Sequence, residues 1–136
     1  MSEAILHQQI IDYVKAQYPD VLVNTDLSGI KLTPGQANKV SNLRTGRAWP
    51  DIFFPEPRGI FKGLFIELKI ESPYKKDGSL KKQIQRKKLR NGVVIEYDHL
   101  KEQYEMLIKL EDKGYYAEFG VGFYDTKDII DWYFNQ

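Results

Sequence analysis

The chain has 136 residues, 42% hydrophobic and 29% charged, which is enough for one domain with a buried core and is ordinary for a globular protein. It has no cysteine, which excludes disulfides and thiolate metal sites and fits a reducing cytoplasm, where we expect it to be soluble. A net charge of +1 excludes a uniformly basic chain, and no apolar run is long enough to predict a membrane span or a signal peptide.

The first part of the chain predicts one helix and little regular structure after it. Apolar residues recur with helical spacing from Glu3 to Tyr18, and Ser2 is in position to cap that helix. A short β-rich run follows at Asp20–Asn24, and a turn is expected at Ser28-Gly29. The polar stretch Thr33–Arg47 is interpreted as a loop with at most a short helix.

The middle of the chain predicts two strands. Asp51–Phe54 is a short strand ended by prolines, and Leu64–Ile70 is the strongest strand pattern in the sequence. In the second strand one face carries Glu67 and Lys69, and the other is expected to face the core. That core-facing set consists of Leu64, Ile66, Leu68 and Ile70.

The last third predicts helix, strand and helix. The helix His99–Lys113 has an apolar stripe and ends at Gly114, which suits a left-handed cap. The stripe consists of Leu100, Tyr104, Leu107 and Ile108. A strand at Tyr116–Phe123 and a final helix capped by Asp125 follow. The whole order predicts an α/β fold in which α-helices flank a mixed β-sheet, in a single domain spanning 1–136.

Asp51, Glu67 and Lys69 are the candidate active-site residues. If Asp51 opens a strand antiparallel to the one holding Glu67, the two carboxylates approach each other, and a divalent cation between them relieves their repulsion. The donors are oxygens, which favours Mg²⁺ or Mn²⁺ over zinc. His7 and His99 are too isolated to be proposed as zinc ligands. With Lys69 beside the ion, the predicted chemistry is phosphodiester hydrolysis; an ordinary cross-face ion pair is the alternative.

The same segments resemble a known family. Pro50-Asp51-Ile52-Phe53-Phe54 and Gly63-Leu64-Phe65-Ile66-Glu67-Leu68-Lys69 are similar to the motifs of the VRR-NUC branch of the PD-(D/E)xK nucleases, and Gln103 matches the helix glutamine of that branch. The resemblance implies a restriction-endonuclease-like core and a Mg²⁺- or Mn²⁺-dependent DNA endonuclease. It implies that Asp51, Glu67 and the carbonyl of Leu68 bind metal, that Lys69 is catalytic and that Gln103 supports the site. A glutamate of the first helix often completes such sites; here this is Glu3, which can equally be a first-turn acid favoured by the helix dipole.

The substrate and assembly follow from the same resemblance. Small stand-alone members of phage type resemble Holliday-junction resolvases and act as homodimers, so we expect a homodimer that cuts branched DNA in a bacterial or phage-infected cytoplasm. A sequence-specific restriction-type nuclease and a non-catalytic DNA-binding phage protein are the alternatives.

The segment at about 72–97 departs from the family, and it concentrates positive charge. Between Tyr74 and Arg90 it has eight basic residues and a single acid, Asp77, which indicates a polyanionic partner or a solvated loop. We predict a mobile arm or hairpin that bends at Gly78 and Gly92 and contacts DNA phosphates. The predicted DNA-binding residues are Arg47, Lys75, Lys76, Lys81, Lys82, Arg86, Lys87, Lys88 and Arg90. Trp49 either lies near the DNA backbone or packs under the sheet.

Overall fold

The computed structural model describes residues 1–26 and 32–136, and it has ten helices and strands within those ranges. In chain order they are α1 (Glu3–Gln17), β1 (Asn24–Thr25), α2 (Pro34–Asn42), β2 (Ile52–Phe54), β3 (Leu64–Lys69), β4 (Ile84–Lys88), β5 (Val94–Asp98), α3 (His99–Asp112), β6 (Tyr116–Val121) and α4 (Gly122–Phe134). The turn predicted at Ser28-Gly29 lies outside the described residues.

Four of the strands form one mixed sheet in the order β1–β2–β3–β6. β2 runs antiparallel to both β1 and β3, whereas β6 lies parallel to β3 on the other side. A parallel neighbour needs a crossover connection, and α3 lies in the segment that joins β3 to β6. β4 and β5 pair only with each other, as a separate antiparallel hairpin. The predicted α/β fold with a mixed sheet and flanking helices is confirmed.

The helices cover both faces of β3. On one face, α1 and α4 pack against Leu64, Ile66 and Leu68. On the other face, the apolar side of α3 packs against Phe65. Burial on both faces makes β3 almost fully inaccessible, so a charged side chain on this strand enters a region of low water content.

Helices α1 and α2 begin at side-chain caps, one of which was predicted. The Ser2 hydroxyl accepts a hydrogen bond from the Ile5 N–H at 3.2 Å, as predicted for α1. Thr33 and Gln36 cap each other reciprocally before α2, so the polar stretch contains a nine-residue helix rather than mostly loop. No helix in the described ranges is long and apolar enough to cross a bilayer.

Several predicted boundaries are wrong. The β-rich run at Asp20–Asn24 yields a strand only at Asn24–Thr25, because β2, its partner, is itself only three residues long. The final helix begins at Gly122, so the preceding strand ends at Val121 and Asp125 is not the N-cap. The Asp125 carboxylate instead accepts a hydrogen bond from the Val121 N–H at 2.8 Å.

Three residues assigned to apolar stripes lie at the surface. Ile70 is 38% exposed because β3 ends at Lys69, where the sheet loses its cover. Tyr104 and Ile108 of α3 are each 38% exposed. The buried face of α3 instead includes Gln103 and Met106 beside Leu100 and Leu107, so it is rotated toward the sheet end that carries Glu67.

Candidate active site

The register of β2 and β3 brings the two predicted carboxylates together. Ile52 pairs with Ile66, so Asp51, one residue before β2 begins, lies next to Glu67, one residue further along β3. The Asp51 Oδ2 atom accepts a hydrogen bond from the Leu68 N–H at 2.7 Å. A side chain therefore takes the place that a backbone carbonyl would have if β2 were longer, and this bond fixes the position of Asp51.

Glu67 is held from the side of α3. It is only 4% exposed, and its Oε1 atom accepts a hydrogen bond from Gln103 Nε2 at 2.7 Å. Gln103 is 7% exposed, and its own Oε1 has no hydrogen-bond partner within the described structure. The predicted supporting contact of Gln103 is therefore present as a direct bond to Glu67.

Burial disfavours ionisation of both carboxyls, and the charge of Asp51 disfavours that of Glu67 further. Burial raises the pKa of Asp51, and the hydrogen bond from the Leu68 N–H opposes that rise. Burial raises the pKa of Glu67 well above its usual value, and the charge of Asp51 raises it further. The positive charge of Lys69 opposes the rise in the pKa of both carboxyls, which places its ammonium group within their field. Such a pair favours a bound proton or a bound cation.

The residues at this point fit a hard divalent cation. Asp51 and Glu67 contribute carboxylate oxygens, and the Leu68 carbonyl points to the same edge of β3 as the Leu68 N–H that contacts Asp51. No three His, Cys, Asp or Glu side chains in the described ranges gather closely enough to hold an ion by themselves. This suits Mg²⁺, which commonly takes one or two protein carboxylates and keeps water or substrate phosphate as its other ligands.

Glu3 lies at the edge of the site, not inside it. It is exposed, it borders the cleft that contains Asp51 and Glu67, and its charge raises the pKa of Glu67. It does not complete a three-carboxylate cluster with the other two. A metal-binding role for Glu3 stays a prediction.

A cleft of about 300 Å³ opens over the two carboxylates, and we call it the catalytic cleft. Arg47 lies on its wall, where its guanidinium forms a 2.7 Å ion pair with Glu102 and stacks over the ring of Tyr97 at 4.1 Å. A neighbouring cleft of about 330 Å³ also borders on Glu3, and it is lined by Lys69, Lys81 and Lys82. Cationic side chains thus lie on both sides of the acidic centre.

Several residues of the catalytic cleft were not predicted from the sequence as site residues, among them Arg44, Tyr97, His99 and Glu102. The last three lie where β5 meets α3, at the end of the basic segment, and no motif marks them. His99 is half-buried, and burial lowers its pKa, with the charge of Lys69 adding to the effect. Its imidazole is therefore favoured in the neutral form. His7 is also satisfied locally, since its Nε2 lies 3.2 Å from the Thr25 hydroxyl.

The basic segment adopts the hairpin form that was predicted. Gly78 and Gly92 both have positive φ, at 86° and 83°, in the turns at Tyr74–Leu80 and between β4 and β5. Lys81 and Lys82 line the same cleft as Lys69, whereas Lys75 and Lys76 lie in the first turn. The others lie along or just beyond β4 and are exposed: Arg86, Lys87, Lys88 and Arg90. Arg86 forms an ion pair with Glu96 at 3.3 Å. Contact with DNA stays a prediction for all of them.

Trp49 packs against the sheet, one of the two positions that the sequence left open. Its ring centroid lies 6.3 Å from that of Phe65, and its Nε1–H donates to the Thr45 carbonyl at 3.1 Å. It also borders the catalytic cleft.

The chain therefore has an α/β fold, with a mixed sheet between α1 and α4 on one face and α3 on the other, and with carboxylates where β2 and β3 meet. The solved structure of a protein named "VRR_NUC domain protein" shares this fold, with a TM-score of 0.62 and 17% sequence identity over 99% of this chain and 89% of that chain. No protein-family model matches the sequence, and no curated protein matches it. At this identity the likeness shows the fold alone.

Proposed function

We propose that the chain is a metal-dependent endodeoxyribonuclease of the VRR-NUC family, a hydrolase of phosphodiester bonds. The observation that carries this proposal is the pair of the partly buried Asp51 and the buried Glu67 in an open cleft, with Lys69 in the neighbouring cleft. A carboxylate that serves only the fold is seldom buried next to another, because their repulsion disfavours the folded state. A cation bound between the two carboxylates would offset that repulsion.

Asp51, Glu67 and the Leu68 carbonyl would hold Mg²⁺ or Mn²⁺. The bound ion supplies Lewis acidity toward a phosphate oxygen and lowers the pKa of a coordinated water. Lys69, whose charge acts on both carboxylates, would stabilise negative charge that develops on the phosphate and orient the attacking water. Gln103 holds the Glu67 carboxylate in a fixed orientation through its 2.7 Å hydrogen bond.

DNA is the substrate that the surrounding charges favour. Arg47 borders the cleft on one side, and Lys69, Lys81 and Lys82 line the adjoining cleft. Phosphate contacts of this kind position a strand without reading its sequence. Together with the resemblance to small phage-type nucleases, this supports a structure-selective enzyme for branched or Holliday-junction DNA that acts as a homodimer.

The test is cleavage of linear duplex, flap and four-way DNA in Mg²⁺ or Mn²⁺. Asp51→Asn should abolish metal-dependent cleavage, because the amide keeps the shape of the carboxylate but loses its charge. Lys69→Ala should be almost inactive yet still bind metal. Glu118→Gln is the matched control: Glu118 is a partly buried carboxylate that accepts a hydrogen bond from Tyr116 and borders neither cleft.

The outcomes separate the alternatives. Cleavage by Asp51→Asn at the wild-type rate would refute the site. Binding of branched DNA with no cleavage under any metal would indicate a non-catalytic DNA-binding protein. Cleavage at one defined sequence in linear duplex would indicate a restriction-type enzyme.

A further inference from the structure

A second cavity of about 440 Å³ adjoins the catalytic cleft, and we call it the aromatic pocket. Trp49, Phe53 and Phe65 form its aromatic walls, and Val40 of α2 lines it as well. It shares Trp49 and Arg44 with the catalytic cleft, so the two cavities lie side by side. Its volume lies within the range of about 300–1,000 Å³ that is common for small-molecule sites.

The aromatic walls are fixed in place. Phe53 and Phe65 stack with their centroids 4.2 Å apart and their planes 11° apart. The hydrogen bond from Trp49 Nε1 to the Thr45 carbonyl restrains the indole ring. The residue before Trp49 is Ala48, whose φ of 66° lies in the left-handed region that residues with a Cβ rarely adopt. Such strain is found most often at functional sites, and here it sets the direction of the chain into Trp49.

The rim of the pocket is polar. Asn24 contributes an amide group, and Arg44 forms a 3.1 Å ion pair with Asp26. A planar ligand with aromatic faces and hydrogen-bonding edges matches this combination of walls and rim. A nucleobase has both properties, and because the pocket lies next to the catalytic cleft, the backbone of the same nucleotide would lie close to the carboxylates.

We propose that the aromatic pocket receives one unpaired nucleobase of the DNA strand whose phosphodiester lies against Asp51 and Glu67. This inference rests on the proposed nuclease function and names what the enzyme selects. A base can enter only if it is not paired, so DNA with an unpaired nucleotide at the site binds better than a continuous duplex. Stacking contributes about 1–3 kcal/mol per base, which corresponds to about 5- to 150-fold in affinity.

Tryptophan fluorescence tests the proposal directly, because the chain has only two tryptophans. Trp132 is 47% exposed, contacts Phe61 and Tyr116 and borders neither cavity. In Trp132→Phe, Trp49 is the one remaining reporter. The probes are a duplex with a single unpaired thymidine and the same duplex with an abasic residue at that position, both titrated in Ca²⁺ to suppress cleavage. We expect the thymidine probe to quench Trp49 and to bind at least fivefold more tightly than the abasic probe.

A second variant blocks the pocket without touching the catalytic cleft. Val40→Phe adds bulk inside the pocket and should remove the preference for the thymidine probe. Ile108→Phe, which adds bulk at an exposed position of α3, is the control that should retain it.

Equal affinity and equal quenching by the two probes would overturn the proposal, as would an undiminished preference in Val40→Phe. If those results came with Asp51-dependent cleavage intact, only the pocket assignment would fall. If the protein bound neither probe and cleaved no DNA, the pocket assignment and the proposed function would fall together.

Discussion

Removing the charge of Glu67 should stabilise the metal-free protein while destroying its response to metal. Glu67 is 4% exposed and lies against Asp51, so its ionised form loses hydration and meets a like charge. In Glu67→Gln, the side-chain oxygen still accepts the hydrogen bond from Gln103, and the new amide can donate to the Asp51 carboxylate. The substitution therefore makes permanent a hydrogen bond to Asp51 that Glu67 can donate only in its protonated form, and it removes the repulsion between the ionised pair.

The size of the effect follows from the buried charges. Two like charges about 4 Å apart repel by about 4 kcal/mol at an effective dielectric constant of about 20. A bound proton already relieves part of that repulsion in the wild type, because burial and Asp51 raise the pKa of Glu67. We expect Glu67→Gln to raise the free energy of unfolding by about 1–3 kcal/mol, and the Tm by about 4–12 °C in a domain of this size.

The gain in the free energy of unfolding of Glu67→Gln over the wild type should increase as pH rises. A carboxyl whose pKa is raised in the folded state binds its proton more tightly there, so its ionisation lowers stability as pH rises from the unfolded pKa through the folded pKa. Glutamine does not ionise. The difference between the variant and the wild type should therefore be smallest below pH 4.5, the ordinary value for Glu67, and should grow toward neutral pH.

Thermal unfolding followed by circular dichroism, with EDTA and with excess Mn²⁺, measures both effects. The wild type at about 100 times the metal dissociation constant should gain about 2.7 kcal/mol, and Glu67→Gln should gain far less. In Glu118→Gln, the Tm in EDTA should not rise, and the stabilisation by Mn²⁺ should equal that of the wild type. A lower Tm for Glu67→Gln in EDTA, or an unchanged response to Mn²⁺, would refute the reasoning about the pair.

Three further predictions concern the metal, the assembly and the basic hairpin. Ca²⁺ should bind but support little cleavage, since its looser coordination positions water poorly, whereas full activity in excess EDTA would contradict a metal mechanism. Light scattering should give a dimer mass, because a twofold dimer brings two active sites to a symmetric junction; paired junction cleavage by a monomer would contradict this. Neutralising five basic residues together should weaken DNA binding and flatten its salt dependence, while cleavage at saturating protein survives. The five are Lys81, Lys82, Arg86, Lys87 and Lys88. Unchanged affinity and salt slope would instead assign them to solvation or to a subunit contact.

The acidic centre could be predicted because strand geometry is local. Alternation along β3 places Glu67 and Lys69 on one side, and the short spacing to Asp51 allows an antiparallel partner. The hydrogen bond from Gln103 to Glu67 could be predicted only from the family resemblance. The sequence of a helix or of a strand does not by itself show which helix residue lies over which strand residue. Ile70 was misassigned for a related reason: the apolar alternation of β3 continues to Ile70, but the strand and its covered region end at Lys69.

The remaining cleft residues depend on contacts between distant segments. Tyr97 reaches the site only because its hairpin folds back over Arg47, and His99 because α3 starts there. The aromatic pocket likewise needs Trp49, Phe53 and Phe65, which come from a loop and two strands. No short-range pattern in the sequence brings these rings together. Tertiary packing determines them, and only the structure reveals it.

The base of the β4–β5 hairpin has a consequence for how this chain can be changed. The Gln83 N–H donates to Asp98 Oδ1 at 3.0 Å, and the His99 N–H donates to the Gln83 carbonyl at 2.9 Å, so the chain leaves and returns at nearly one point. A hairpin with such closely spaced ends can be lengthened, shortened or exchanged with little effect on the helices and strands that flank it. The hairpin can therefore be replaced without rebuilding β3 or α3, and under the proposed nuclease function such a replacement would change the contacts with DNA.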